Sequence, residues 1–298
     1  MPKWTRRVLA VLFAIALGYY WLAVESHVPS GHYSIDIAEL RRLANSIPGP
    51  KPREIRVERV ATFQFPAAAI MAGGSWKVED GPAVSYQIVY PDRTVIVDTA
   101  MDQATTKAMG RATFDPQAFA HMIQAMSSAS LILVTHEHPD HIGGIATFSE
   151  AQRLTPSVRL TREQAAHPEQ AAPAKMTQGV FQILNYERAT AIAPGIALIK
   201  SPGHTPGSQM VFIQREDGAE FLLLGDVAWG MRNVENVRER PRFITTFMLH
   251  EDRDAVMLEL AELHRLIEAE PKIHMLAGHD AAPIDALEKQ GLLIEGFM

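Results

Sequence analysis

The segment Leu131-Ile132-Leu133-Val134-Thr135-His136-Glu137-His138-Pro139-Asp140-His141-Ile142-Gly143-Gly144 restricts the folds open to this chain more than any other stretch. An apolar run suited to a buried strand ends in four side chains able to hold a cation: His136, His138, Asp140 and His141. In extended geometry His136 and His138 project to the same side, because strand periodicity is two. Two imidazoles so spaced can grip one cation, at about 2.0–2.1 Å if it is zinc. The chain then turns at Pro139, which lets Asp140 and His141 face a second cation. Gly143 and Gly144 allow the backbone to pass close beneath the cluster. The chain has no cysteine, so thiolate zinc sites, disulfides and cysteine nucleophiles are excluded.

Around this cluster the pattern is that of a layered α/β domain. Asp36–Asn45 places Ile37, Leu40, Leu43 and Ala44 at helical spacing, and Ile47-Pro48-Gly49-Pro50-Lys51-Pro52 then enforces an extended segment. The spacing predicts strands over Val57–Phe65, Ser85–Tyr90, Thr94–Asp98, Leu131–Thr135, Ile196–Ser201, Gln209–Gln214, Phe221–Gly225 and Ile273–Ala277. Helices are expected over Phe114–Ser127, with Asp115 as N-cap and Pro116 at the first helical position, and over Asp254–Glu268. Phe65–Gly81 reads as a long loop rich in Ala and Gly, or as a hairpin on the sheet. Strands first, then strands alternating with helices, point to α/β layering rather than a bundle or a β-sandwich.

The N-terminus is a different kind of segment. Lys3, Arg6 and Arg7 precede Val8–Val24, which carries no charge and sits at the short limit of about 17 residues for a membrane span. Trp4 at one end and Tyr19, Tyr20 and Trp21 at the other suit interfacial positions, and the leading cations place the N-terminus in the cytoplasm. Residues 1–28 are therefore expected to be a signal anchor in the inner membrane, or a signal peptide. The former exposes the domain on the periplasmic or extracellular side; the latter yields a secreted product. Residues 29–54 follow as a linker with a short helix, and residues 55–298 as the main domain. The net charge is −6, and the cationic leader leaves the remainder more acidic still, which disfavours nucleic acid as a partner. Oligomeric state is not legible.

The histidine motif is similar to that of the metallo-β-lactamase-fold metallohydrolases. Further parts of that family's pattern follow in order: Pro202-Gly203-His204-Thr205-Pro206-Gly207-Ser208, Leu223-Leu224-Gly225-Asp226 and Ala277-Gly278-His279. The resemblance covers about residues 55–298 and implies a four-layer αββα sandwich, here preceded by one apolar helix. It also implies that His136, His138 and His204 bind one metal ion, that Asp140, His141 and His279 bind a second, and that Asp226 bridges both. Two dications sharing a solvent oxygen lower its pKa and present hydroxide to an electrophile, and Asp140 and Asp226 are the expected catalytic carboxylates. Imidazole and carboxylate donors suit Zn2+, and also Mn2+ or Fe2+.

The family acts on lactams, lactones, thioesters, phosphodiesters and sulfates. Aspartate at position 226, where most β-lactamases carry Cys or Ser, disfavours a β-lactam substrate, and the acidic body disfavours a nuclease. The short stretch after His279 disfavours the thioesterases that append a helical domain. By motif spacing the resemblance is nearest to acyl-homoserine lactonases, so a small-molecule ester or lactone is the expected substrate. In those lactonases a tyrosine three positions after the bridging aspartate contacts the substrate carbonyl; here that position is Trp229. Met71, Trp76, Trp229, Phe247 and Met248 are the candidate substrate-pocket residues. A thioester or β-lactam hydrolase, or an oxygenase with a single iron on His136, His138 and His204, remains as an alternative. Of the other histidines, His250 stands out because it follows Phe247-Met248-Leu249.

Overall fold

The computed structural model describes residues 1–148, 151–166 and 181–298, so His167 lies outside the described residues. The main body is built from two sheets. The first contains β1 (Glu54–Pro66), β2 (Val78–Val89), β3 (Thr94–Val97), β4 (Ala112–Phe114), β5 (Leu131–Leu133), β6 (Val158–Thr161), β7 (Gln182–Leu184) and β13 (Ile294–Glu295), in the order β13-β1-β2-β3-β5-β6-β7, with β4 also on β1. The second contains β8 (Ala189–Ala193), β9 (Ile196–Lys200), β10 (Gln209–Gln214), β11 (Glu220–Gly225) and β12 (Ile273–Ala277), in the order β12-β11-β10-β9-β8.

Both faces of both sheets are covered, which is why the strands read as continuous apolar runs rather than alternating ones. Between the sheets, Val57, Ile88, Val95 and Leu133 meet Leu198, Val211, Phe221 and Leu223 in one core layer. Alternate residues of the same strands face outwards. Ile199, Met210, Phe212, Leu222 and Leu224 pack on Val256, Leu260, Leu263 and Leu266 of the helix Arg253–Ala269. On the other side, Ile96, Ile132, Val134, Val158 and Leu160 pack on Met122, Ala125 and Met126 of the helix Pro116–Ser128, and on Ile142 and Ile145. The result is the expected αββα sandwich, preceded by an apolar helix over Lys3–Tyr19 whose last turn, Tyr20–Val24, is wound more loosely.

The local signals locate the elements well where caps are strong. Asp115 accepts from the backbone N–H of Gln117 and Ala118 with Pro116 in the first turn, and Asp36 caps the helix Ile37–Ala44. Of the two readings of Phe65–Gly81 the hairpin holds, and one other segment differs from expectation. The stretch Phe65–Gly81 is a loop only at its tip: β1 and β2 stay paired from Glu54↔Val89 out to Pro66↔Val78, with one short helix, Ala67–Ile70, at the end. The Ala- and Gly-rich part, residues 67–77, is the part that leaves the pairing, in keeping with the weak strand propensity of those residues. The helix Ile37–Ala44, expected in a linker, buries Ile37, Leu40 and Ala44 against the second sheet, and Arg41 bridges Glu220 and Glu270.

Candidate metal centre

The C-terminal ends of β3, β5, β9, β11 and β12 converge on one edge of the sandwich, and each delivers a polar residue there. β5 ends just before Thr135 and His136, and His138 opens the helix Pro139–Thr147, with Asp140 in its first turn. That helix begins directly at the site, where only a turn was expected. Pro139 supplies no N–H and suits the first helical position. Gly143 and Gly144 are needed for its placement. Their N–H groups donate to the carbonyls of Ala100 and Thr99 at 2.8 and 2.9 Å, and a Cβ on either would lie within 2.7 Å of the same oxygens. Asp226 follows β11, and His279 follows β12.

Two groups of potential ligands result. His136, His138, His204 and Asp226 form one, and Asp140, His141, Asp226 and His279 the other, with ligand atoms in each within 4.8 Å of one another. Asp226 belongs to both. Its Oδ1 lies 3.3 Å from His141 Nε2, and its Oδ2 lies 3.3 Å from His279 Nε2, 3.6 Å from His204 Nε2 and 3.8 Å from His136 Nε2. The structure thus brings together all seven residues singled out from the sequence.

The outward nitrogens of these histidines are held by partners that sequence reasoning missed. His141 Nδ1 lies 2.9 Å from Asp98 Oδ2, and Asp98 also accepts from Thr135 N–H and Oγ1. Asp98 sits in the left-handed region at φ 61°, a conformation that Asp tolerates better than most residues. His204 Nδ1 lies 2.7 Å from Glu251 Oε1, which also accepts from Arg240 Nε at 2.9 Å. His279 Nδ1 donates to the Pro82 carbonyl at 2.9 Å. Engaging Nδ1 fixes the ring and leaves Nε2 facing the site, the arrangement metal-binding histidines generally adopt. His250, noted in the sequence, is exposed; its neighbour Glu251 is the residue that reaches the site.

Three polar atoms at the centre are buried without a hydrogen-bond partner: His136 Nε2, His141 Nε2 and Asp226 Oδ1. Buried polar groups are rarely left unpaired, and three around one small volume call for a cation. The electrostatics agree. Burial, reinforced by the charge on His141, pushes His136 well below the ordinary imidazole range, and burial with His204 nearby takes His138 down to about 4. Burial acts against charge on Asp140 as well, yet His141 and the His279 contact outweigh it and hold the carboxyl at about 2. For His279, Asp226 and Asp140 overcome burial and raise it to about 10. A proton and a cation on the same imidazole nitrogen exclude each other, so protonation of His141 or His279 competes with a cation at this group.

The candidate pocket residues divide. Trp229 is adjacent to the centre. Its indole N–H donates to Asp226 Oδ2 at 2.7 Å, its ring stacks on Phe65, and the Arg240 guanidinium lies over it at 5.1 Å. The indole N–H at the position of the lactonases' tyrosine is thus engaged with the shared carboxylate. Met71 is half-buried at the β1–β2 tip, and Trp76, Phe247 and Met248 are exposed.

A model of the family described as the metallo-beta-lactamase superfamily matches residues 78–279. An N-acyl homoserine lactonase of Bacillus thuringiensis is 29% identical over 152 residues, 50% of this chain. The chain spans about half the length of that relative (55%). A hydroxyacylglutathione hydrolase of Albidiferax ferrireducens is 30% identical over 116 residues, 38% of this chain and 41% of the relative. A crystal structure of an N-acyl homoserine lactone hydrolase, with N-hexanoyl-L-homoserine at its catalytic metal centre, superposes with a TM-score of 0.63. It is 17% identical, covering 79% of this chain and 96% of that one, and shares the fold.

Proposed function

The chain belongs to the metallo-β-lactamase superfamily, and on that premise we propose that it is a dinuclear metallohydrolase that opens carboxylic esters of the lactone type. The observation that carries the reading is the pair of ligand groups sharing Asp226, with buried unpartnered atoms on His136, His141 and Asp226 itself. In this reading His136, His138 and His204 hold one ion, Asp140, His141 and His279 the other, and Asp226 spans both. The donor set of imidazole and carboxylate suits Zn2+. When bound, the two ions supply Lewis acidity to a carbonyl and acidify a water molecule.

The rest of the chemistry belongs to the chain's own residues. Glu251, Asp98 and the Pro82 carbonyl orient His204, His141 and His279. Trp229 N–H steadies Asp226. Asp140 accepts the proton of the attacking water and returns it to the leaving alcohol oxygen, so that lactone and water become hydroxy acid. The likeness to acyl homoserine lactonases supports a lactone as the ester concerned, and the likeness to hydroxyacylglutathione hydrolase supports a thioester as the second reading. Residues 55–298 form the hydrolase domain. The helix Lys3–Val24, 22 residues with none of its apolar window buried, is its membrane anchor and presents it outside the cytoplasm.

The test is elemental analysis of the purified full-length chain together with turnover of a lactone, an aryl ester, a thioester, a β-lactam and a phosphodiester. Two divalent ions per chain and opening of the lactone are expected. One ion or fewer in active protein, or turnover confined to the phosphodiester, overturns the reading.

A further inference from the structure

The anchor does not leave the domain on a loose tether. The Ala23 carbonyl accepts from Gly73 N–H at 2.8 Å, and the Val24 carbonyl accepts from Arg238 Nη2 at 2.8 Å. The Glu25 carboxylate is bound by Arg242 and lies 3.7 Å from Arg253, while the Arg242 guanidinium sits over the Trp21 ring at 4.8 Å. Residues 21–25 are thus clamped between the β1–β2 tip and the helix Arg242–Phe247.

Those same two elements, with Met248 directly after the helix, carry exposed apolar side chains. Phe243 and Phe247, one helical turn apart, are 53% and 56% exposed, Met248 is 58% exposed, and Trp76 on the β1–β2 tip is 68% exposed. Neighbouring apolar side chains in the open on a folded surface mark an interaction site. Their distance from the anchor identifies the occupant. Trp and Tyr at the end of a spanning helix settle at the membrane–water interface, so Trp21 marks that level. Phe247 lies five residues beyond Arg242, about 7.5 Å along a helix. The headgroup zone of one leaflet is about 5–7 Å deep. Arg242, seated on Trp21, opens the helix that carries Phe243 and Phe247, so the clamp keeps those two side chains within one short helix of the level that Trp21 marks.

We propose that Trp76, Phe243, Phe247 and Met248 enter the headgroup–acyl boundary of the membrane that the Lys3–Val24 helix spans, docking the metal-ligand edge of the domain on the lipid surface. This rests on the anchor reading above and deepens it. Phe247 is four residues from Glu251, which holds His204, and the β1–β2 tip continues from Phe65, which stacks on Trp229. Both apolar elements thus connect the membrane surface to the ligand cluster. The substrate class that fits is an amphiphilic ester whose acyl chain partitions into the leaflet. Arg242 and Arg238 are already engaged at the anchor exit and Arg253 with Glu239, so docking needs no anionic lipid.

The absence of cysteine permits single-site labelling of the full chain. Phe247→Cys, Asp217→Cys and Ala14→Cys, each carrying an environment-sensitive fluorophore, are reconstituted into phosphatidylcholine vesicles containing lipids spin-labelled at shallow or deep acyl positions. Asp217 precedes β11, at the end of that strand opposite Asp226, and serves as the distant reference. The expected result is loss of emission at 247 to the shallow label, none at 217, and loss at 14 to the deep label. If 247 behaves like 217 while 14 is quenched, the anchor stands and the docking proposal falls; the apolar rim then serves a soluble ligand or a second copy. If 14 is unquenched, the anchor reading itself fails, and docking with it.

Discussion

Removing Glu251 should separate two roles that one carboxylate combines. Its side chain is fully buried, with Oε1 2.7 Å from His204 Nδ1 and 2.7 Å from Nη2 of Arg240, itself fully buried. Burial opposes its ionisation, but the Arg240 charge and the His204 hydrogen bond keep its pKa below the ordinary value. Glu251→Met therefore strands a buried guanidinium, and breaking such a pair costs about 3–5 kcal/mol. At about 2–4 °C per kcal/mol for a domain of this size, Tm should fall by about 6–20 °C. The same change removes the group that orients His204, for which metal affinity typically drops about 10–100-fold. Adding Arg240→Met removes the stranded charge and replaces the pair with apolar volume, so most of the lost Tm should return. Metal affinity should stay low, because His204 Nδ1 still lacks its acceptor. Thermal melts of the metal-free proteins and zinc titration against a competing chelator read the two effects independently. A double variant that binds zinc as tightly as the native chain refutes the orienting role. One that melts no higher than the single variant refutes the stranded-charge argument.

Asp226→Ala removes the carboxylate common to both ligand groups, so elemental analysis should find fewer than two ions per chain. Turnover should fall by at least about two orders of magnitude, the usual consequence of misplacing a reacting group; retention of both ions would contradict the shared role. Glu259, buried on the helix Arg253–Ala269 and accepting from Gly203 N–H, is raised to about 8 by burial, despite that bond and with Asp252 and Glu251 adding to it. Its folded pKa lies above the unfolded value of about 4.3. The folded state therefore holds the extra proton between these values, and stability declines as pH rises through this window. Glu259→Gln abolishes that titration, so the Tm of the variant relative to the native chain should climb from pH 5 to pH 9; a flat difference would show that Glu259 is ionised throughout.

What the sequence determined by itself is whatever depends on near neighbours. The cluster His136–His141 follows a buried strand within a few residues, so its side chains had to emerge together at a strand end. The caps Asp36 and Asp115, and the apolar stripe Val256–Ile267, depend on positions three and four apart. The downstream His204, Asp226 and His279 were singled out through the resemblance to the metallo-β-lactamase fold, whose motifs they match in order. Only the tertiary structure decided what stands behind the ligands. Asp98 meets His141 across 43 residues, Glu251 meets His204 across 47, and the Pro82 carbonyl meets His279 across 197. No local periodicity marks those partners, since an acid at a strand end or an extended proline looks the same whether or not a histidine arrives beside it. The same holds for the β1–β2 tip and for residues 21–25, held by Gly73, Arg238 and Arg242. Pairing register and ion pairs between distant segments placed them, and these forces act only once the sheets have packed.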